Sequence, residues 1–71
     1  MKTDSELKRD VLAELSWDPL VPESRVGVAV DGGVVTLRGH VHSWAERNAA
    51  EGVTWSAPGV TRVNNQLIVE L

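Results

Sequence analysis

The stretch "VGVAVDGGVVTLRGHV", residues 26 to 41, leaves this chain few folds to choose from. Val26, Val28 and Val30 alternate with Gly27 and Ala29. Beyond "DGG", Val35, Leu37, Gly39 and Val41 alternate with Val34, Thr36, Arg38 and His40. Strict period two on both sides of a glycine-rich turn is the pattern of a β-hairpin with one buried face. A two-residue loop at Gly32–Gly33 pairs Val30 with Val35, Val28 with Leu37 and Val26 with Gly39, and all of these then share a face. A loop at Asp31–Gly32 keeps the same parity, whereas a three-residue loop would turn one strand's valines outward. Gly39 opposite Val26 leaves a shallow place in that face, where a helix is expected to approach closely.

A helix is expected on each side of the hairpin. In "MKTDSELKRDVLAELSWDP", Thr3 and Glu6 form a capping box, and Asp4 and Glu6 sit at the positive end of the helix dipole. Leu7, Val11 and Leu15, with Leu12 beside them, make one apolar stripe, and Pro19 ends a helix over 4–16. Ser43 and Glu46 repeat the capping device, predicting a second helix from about 44 to 57. Ala49, Ala50, Val53 and Ala57 form its inward arc, and Arg47, Asn48 and Glu51 its outward one. Pro58–Gly59 closes it, with Gly59 expected at positive φ. The last strand starts near Val60 or Val63, with Asn65, Leu67, Val69 and Leu71 on one side and Asn64, Gln66, Ile68 and Glu70 on the other.

The order α-β-β-α-β leaves a single apolar sheet face and two apolar helix stripes to hide. The fold class is therefore α+β, with both helices on one face of a small three-stranded mixed sheet. Strand three is expected beside strand two, reached by a right-handed crossover. The opposite face, with Val34, Thr36, Arg38 and Ile68, is expected bare, and one edge strand open to self-association.

Size and composition limit function. Seventy-one residues make one domain, 1–71 with its core at about 4–70, of which 42% are hydrophobic and twelve are valine. A net charge of −3 with scattered basic residues argues against nucleic acid as a partner. Without cysteine there is neither a disulfide framework nor a thiolate zinc site. "DGG" is a hairpin turn and not a phosphate loop, and no paired carboxylates suggest an enzyme, so neither cofactor nor catalytic residues are expected. No apolar run reaches the length of a signal peptide or a membrane span. As written the chain is expected in the cytoplasm, or in the periplasm or envelope if it is cut from a longer exported protein.

The joint pattern resembles the BON domain, the bacterial OsmY and nodulation domain. The similarity is carried by Val28, Val30, Asp31–Gly32, Val35, Leu37, Gly39 and Val41. Arg47, Ala49 and Ala50 carry it in the second helix. Gly59–Val60, Val63, Asn65, Leu67 and Val69 carry it in the last strand, and "SELKRDVLAELSWDPLV" is similar to the family's first helix and its exit. The resemblance implies a non-catalytic module associated with membranes and binding phospholipid. It also implies a link to osmotic stress or transport at the cell envelope, and occurrence in tandem copies.

Six positions invite a functional role. Trp44 and Trp55 lie about 20° apart on the helical wheel and about 16 Å along the axis. Either each ring folds over a helix end, Trp55 leaning on the 58–60 turn or on Trp17, or the two form an interfacial pair for a membrane or a partner's groove. Trp17, beside Leu20 and Val21, either packs on the end of the domain or dips into lipid. Arg47 is the basic residue placed to accompany them, although Glu46 and Glu51 offset it. His40 and His42 could bracket a zinc ion, but no third ligand stands nearby, and a solvated pair is expected. Gly39 and Gly59 are expected to be structural. A protein-protein interaction or self-assembly module, with no lipid role, is the competing reading.

Overall fold

The computed structural model describes residues 2–71. Helix α1 (Asp4–Trp17) leads through a short 3-10 turn (Glu23–Arg25) into strands β1 (Val26–Asp31) and β2 (Val34–Val41). Helix α2 (Trp44–Trp55) and strand β3 (Arg62–Val69) follow. The sheet order is β1-β2-β3, with β1 and β2 antiparallel and β2 and β3 parallel, so the mixed α-β-β-α-β architecture expected from the pattern is the one observed.

The hairpin turns at Gly32–Gly33, closing on the Asp31–Val34 pair. Its register joins Val30 to Val35, Val28 to Leu37 and Val26 to Gly39. Both turn glycines have positive φ, 57° and 83°, as a type I′ turn requires. In the parallel pair, Val35 lies beside Val63, Leu37 beside Asn65, Gly39 beside Leu67 and Val41 beside Val69. That alignment brings the inward residues of all three strands into rows.

Both helices roof those rows. Leu7, Val11 and Leu15 of α1 are buried with Val26, Val28, Val35, Leu37, Val41 and Leu67 of the sheet. The α1 capping box forms as the sequence predicts, with Thr3 accepting from the Glu6 amide and Glu6 accepting from the Thr3 amide. Asp4 also accepts from the Gly32 amide, tying the start of α1 to the hairpin turn. Helix α2 begins where β2 ends, at the other end of the sheet. The two helices are therefore antiparallel, and Trp17 and Trp44 share one end of the helical layer while Trp55 lies toward the other.

The structure corrects three expectations. Helix α2 stops at Trp55 and not near 57. Pro58 disfavours the helical region for Ala57, and the chain leaves through tighter bonds from Ser56 to Val53 and from Ala57 to Thr54. Its buried face centres on Ala50 and Thr54, with Ala49 and Val53 only half-buried and Ala57 buried beyond the helix end. Thr54 can occupy the core because its hydroxyl donates to the Ala50 carbonyl at 2.7 Å, leaving the methyl to pack. Gly39, finally, accommodates backbone and not a helix. It takes φ 132°, and a Cβ there would overlap the Arg25 carbonyl oxygen.

Two predictions follow from these contacts. Gly39→Ala, like Gly39→Val, should lower stability by at least about 2 kcal/mol in a denaturant titration, since both the backbone angle and the cross-strand space exclude a side chain. Gly32→Asn should be nearly neutral, because position 32 sits at φ 57° with open space around it. Separately, the Thr3 amide and then the Thr3 hydroxyl hold the Glu6 carboxyl below its ordinary pKa. A carboxylate depressed in the fold stabilises above its unfolded pKa, and that contribution is lost as pH falls through the folded one. Glu6→Gln should therefore flatten the acid side of a melting-temperature profile and leave the neutral side parallel to that of the parent.

Candidate contact surface

The core has no place for an indole. Alanine and threonine hold α2 close to the sheet, and leucine and valine fill the space under α1. All three tryptophans are consequently outside. Trp17, the last residue of α1, is 81% exposed, Trp44 60% and Trp55 48%. None of them is part of the buried core, and Trp55 does not lean on Trp17, since the two lie toward opposite ends of the helical layer.

Trp17 stands before a connector shaped by Asp18, whose side chain accepts from the Leu20 amide and whose carbonyl accepts from the Val21 amide. The turn buries Val21 and leaves Leu20 49% exposed beside the helix end. Trp44 is placed by the Ser43 cap, whose hydroxyl accepts from the Glu46 amide, while the Glu46 carboxylate accepts from the His42 amide at 2.8 Å. On α2 the exposed residues are Trp44, Ala45, Asn48, Gly52 and Trp55. This ridge carries no charge, and an indole stands near each of its ends.

Arg47 is used differently from the role its charge suggests. Its Nη2 donates to the Asn65 carbonyl at 3.0 Å and its Nε to the Leu67 carbonyl at 3.3 Å, along the outer edge of β3. Asn65 answers by donating through Nδ2 to the Arg47 carbonyl and to Glu51 Oε1, and its Oδ1 accepts from the Leu67 amide. The group straps α2 to the last strand and occupies carbonyls that an added strand would need. The guanidinium also lies 5.6 Å from the centre of the Trp44 ring, which it helps to orient. The sequence holds a signal for this strap: Asn65 has inward parity between Val63 and Leu67, and a polar side chain on an apolar face must find partners.

The remaining candidates sit apart from the tryptophans. His40 Nδ1 is 3.3 Å from Glu70 Oε1 on the bare side of the sheet, where Arg38 also donates to Gln66. Among the described residues no three His, Asp or Glu side chains are grouped to hold a metal ion. Gly59 has φ 102° in the turn after Pro58. That turn borders an open cleft of about 570 Å³ beside Leu7 and Gly33. Lys2 crosses it to reach Asp10 and the Pro58 carbonyl.

A two-helix layer on a mixed three-stranded sheet, with three exposed indoles along the helices, defines a small α+β module. The BON domain model matches residues 3–70, and the chain belongs to that family. Modules of this family are non-catalytic and are often implicated in membrane contact and self-association. The chain is also similar to the osmotically-inducible protein Y of Escherichia coli (strain K12), at 40% identity over 65 residues. The match takes in 92% of this chain and 30% of that protein, so the chain spans less than a third of that relative's length.

Removing the strap should be measurable. Arg47→Ala should cost about 1.5–3 kcal/mol in a denaturant titration, the usual worth of charge-assisted bonds. Arg47→Lys should recover little of it, since a single ammonium does not reproduce the planar fork that reaches both carbonyls.

Proposed function

We propose that the domain is a phospholipid-surface contact module, held at the bilayer interface by the indoles of its helical layer. The observation that carries this is the exposure of all three tryptophans on that layer, in a fold whose core needs none of them. A Trp ring immersed at headgroup depth withdraws apolar area from water and keeps its N–H wet, which suits it to an interface more than to a core. Leu20 adds an aliphatic side chain near Trp17. Similarity to an osmotically-inducible protein supports an envelope or osmotic-stress setting for the module.

The chemistry of the surface also sets its preference. The α2 ridge is uncharged, and Arg47 is committed to β3, so attraction to anionic headgroups contributes little. Affinity per copy is weak and gains from several copies acting together.

Flotation with neutral phosphatidylcholine vesicles and with anionic vesicles tests the proposal. The domain should float with both, with blue-shifted tryptophan emission and little dependence on salt. Trp44→Ala and Trp55→Ala should each lower partitioning about five- to thirty-fold, the equivalent of about 1–2 kcal/mol for part of an indole's area. Emission that stays unshifted at saturating amounts of both vesicle types would sink it.

A further inference from the structure

The two edges of the sheet are treated unequally. On β3 the Arg47 guanidinium occupies the outward carbonyls of Asn65 and Leu67. On β1, "RVGVAVD" from 25 to 31 has no proline and no charge between its first and last residues. Such an edge is a template for another strand. The hairpin register decides which groups it offers. A two-residue turn closing on Asp31–Val34 directs the amides and carbonyls of Asp31, Ala29 and Gly27 toward β2. Those of Val28 and Val30 then point to the free edge, with the Val26 carbonyl. The Val26 amide is already used by the Glu23 carbonyl.

We propose that this edge pairs antiparallel with the same edge of a second copy of the chain, in the register that sets Val28 against the partner's Val28. Only registers joining even-numbered residues to even-numbered residues match the outward groups, and this one is centred on the segment. Val28 then exchanges both bonds with the partner's Val28, and the Val30 amide reaches the partner's Val26 carbonyl. Charge selects the same register. Arg25 falls opposite the partner's Asp31, and Asp31 opposite the partner's Arg25, on one face of the extended sheet. Among the described residues neither side chain has an ion-pair partner within the chain. Gly27 meets the partner's Ala29 on that same face, so no bulky side chain obstructs the approach.

The inward face fits as well. The valines of the partner's β1 continue the apolar layer beside a groove of about 290 Å³ between α1 and β1, lined by Asp4, Ser5, Lys8 and Val28–Val30. Leu12, 40% exposed on the flank of α1 that carries Lys8 and Ser5, gains cover there. The twofold axis stands perpendicular to the sheet, so both helical layers face the same way and both sets of tryptophans are presented together.

Sedimentation velocity from micromolar to millimolar protein, with amide hydrogen exchange at each concentration, tests the pairing without lipid. The expected result is a monomer–dimer equilibrium in which the Val28 and Val30 amides become protected as concentration rises. The Ala29 amide, bonded within the hairpin, should be protected throughout. Asp31→Arg should weaken association at least tenfold, and adding Arg25→Asp to it should restore association, with circular dichroism confirming that each variant is folded. A chain that stays monomeric at millimolar concentration would overturn the proposal. So would a dimer whose Val28 and Val30 amides exchange freely, or a double reversal that restores nothing. Failure of vesicle binding leaves this result standing, and the converse also holds.

Discussion

The closing pair of the hairpin, Asp31 with Val34, sets the parity on which the rest of the molecule depends. Once that pair forms across Gly32–Gly33, Val26, Val28, Val30, Val35, Leu37 and Val41 must all face one way, because side chains alternate along a strand. The sheet acquires one apolar face and no second one. Both helical stripes have to be buried on that face, and β3 has to extend it, which it does beside β2 with its own inward residues in matching rows. The same parity sends the hydrogen-bonding groups of alternate β1 residues outward, so a single register prepares both the core and the free edge.

The two helices divide the work unequally. Helix α1 brings leucine and valine and fills volume; α2 brings Ala50 and Thr54, with Ala57 just beyond its end, and fills little, so it lies close to the sheet. Closeness has two consequences. The indoles of α2 have nowhere to go but outward, and Arg47 comes within reach of the β3 carbonyls. A neutral aromatic surface and a sealed strand edge are thus products of the same small side chains. A marginally sized domain can keep large rings on its surface because its core closes without them.

Much of the fold was legible because each element carries its own local signal. The capping box at Thr3, the Ser43 cap, period two through the hairpin and Pro-Gly after α2 are decided by neighbours a few residues apart. The role of Arg47 was not legible in the same way. Its partners are carbonyls eighteen and twenty residues along the chain, and backbone oxygens look alike in every sequence. Asn65 alone hinted at it, as a polar residue with inward parity. The requirement for glycine at 39 could be read, but its cause could not: the neighbour is the Arg25 carbonyl across the hairpin, and no pattern of side chains records the path of a backbone.

By itself the sequence determined the number and order of the elements, the parity of the hairpin and which strand face is apolar, because those follow from periodicity and turn chemistry within short stretches. Tertiary structure alone decided how far α2 rotates against the sheet, and with it the fate of Trp44, Trp55 and Arg47. A helical wheel ranks faces by composition. When alanine, threonine and glycine leave that ranking shallow, the choice passes to the space the sheet offers and to the backbone groups at its edge.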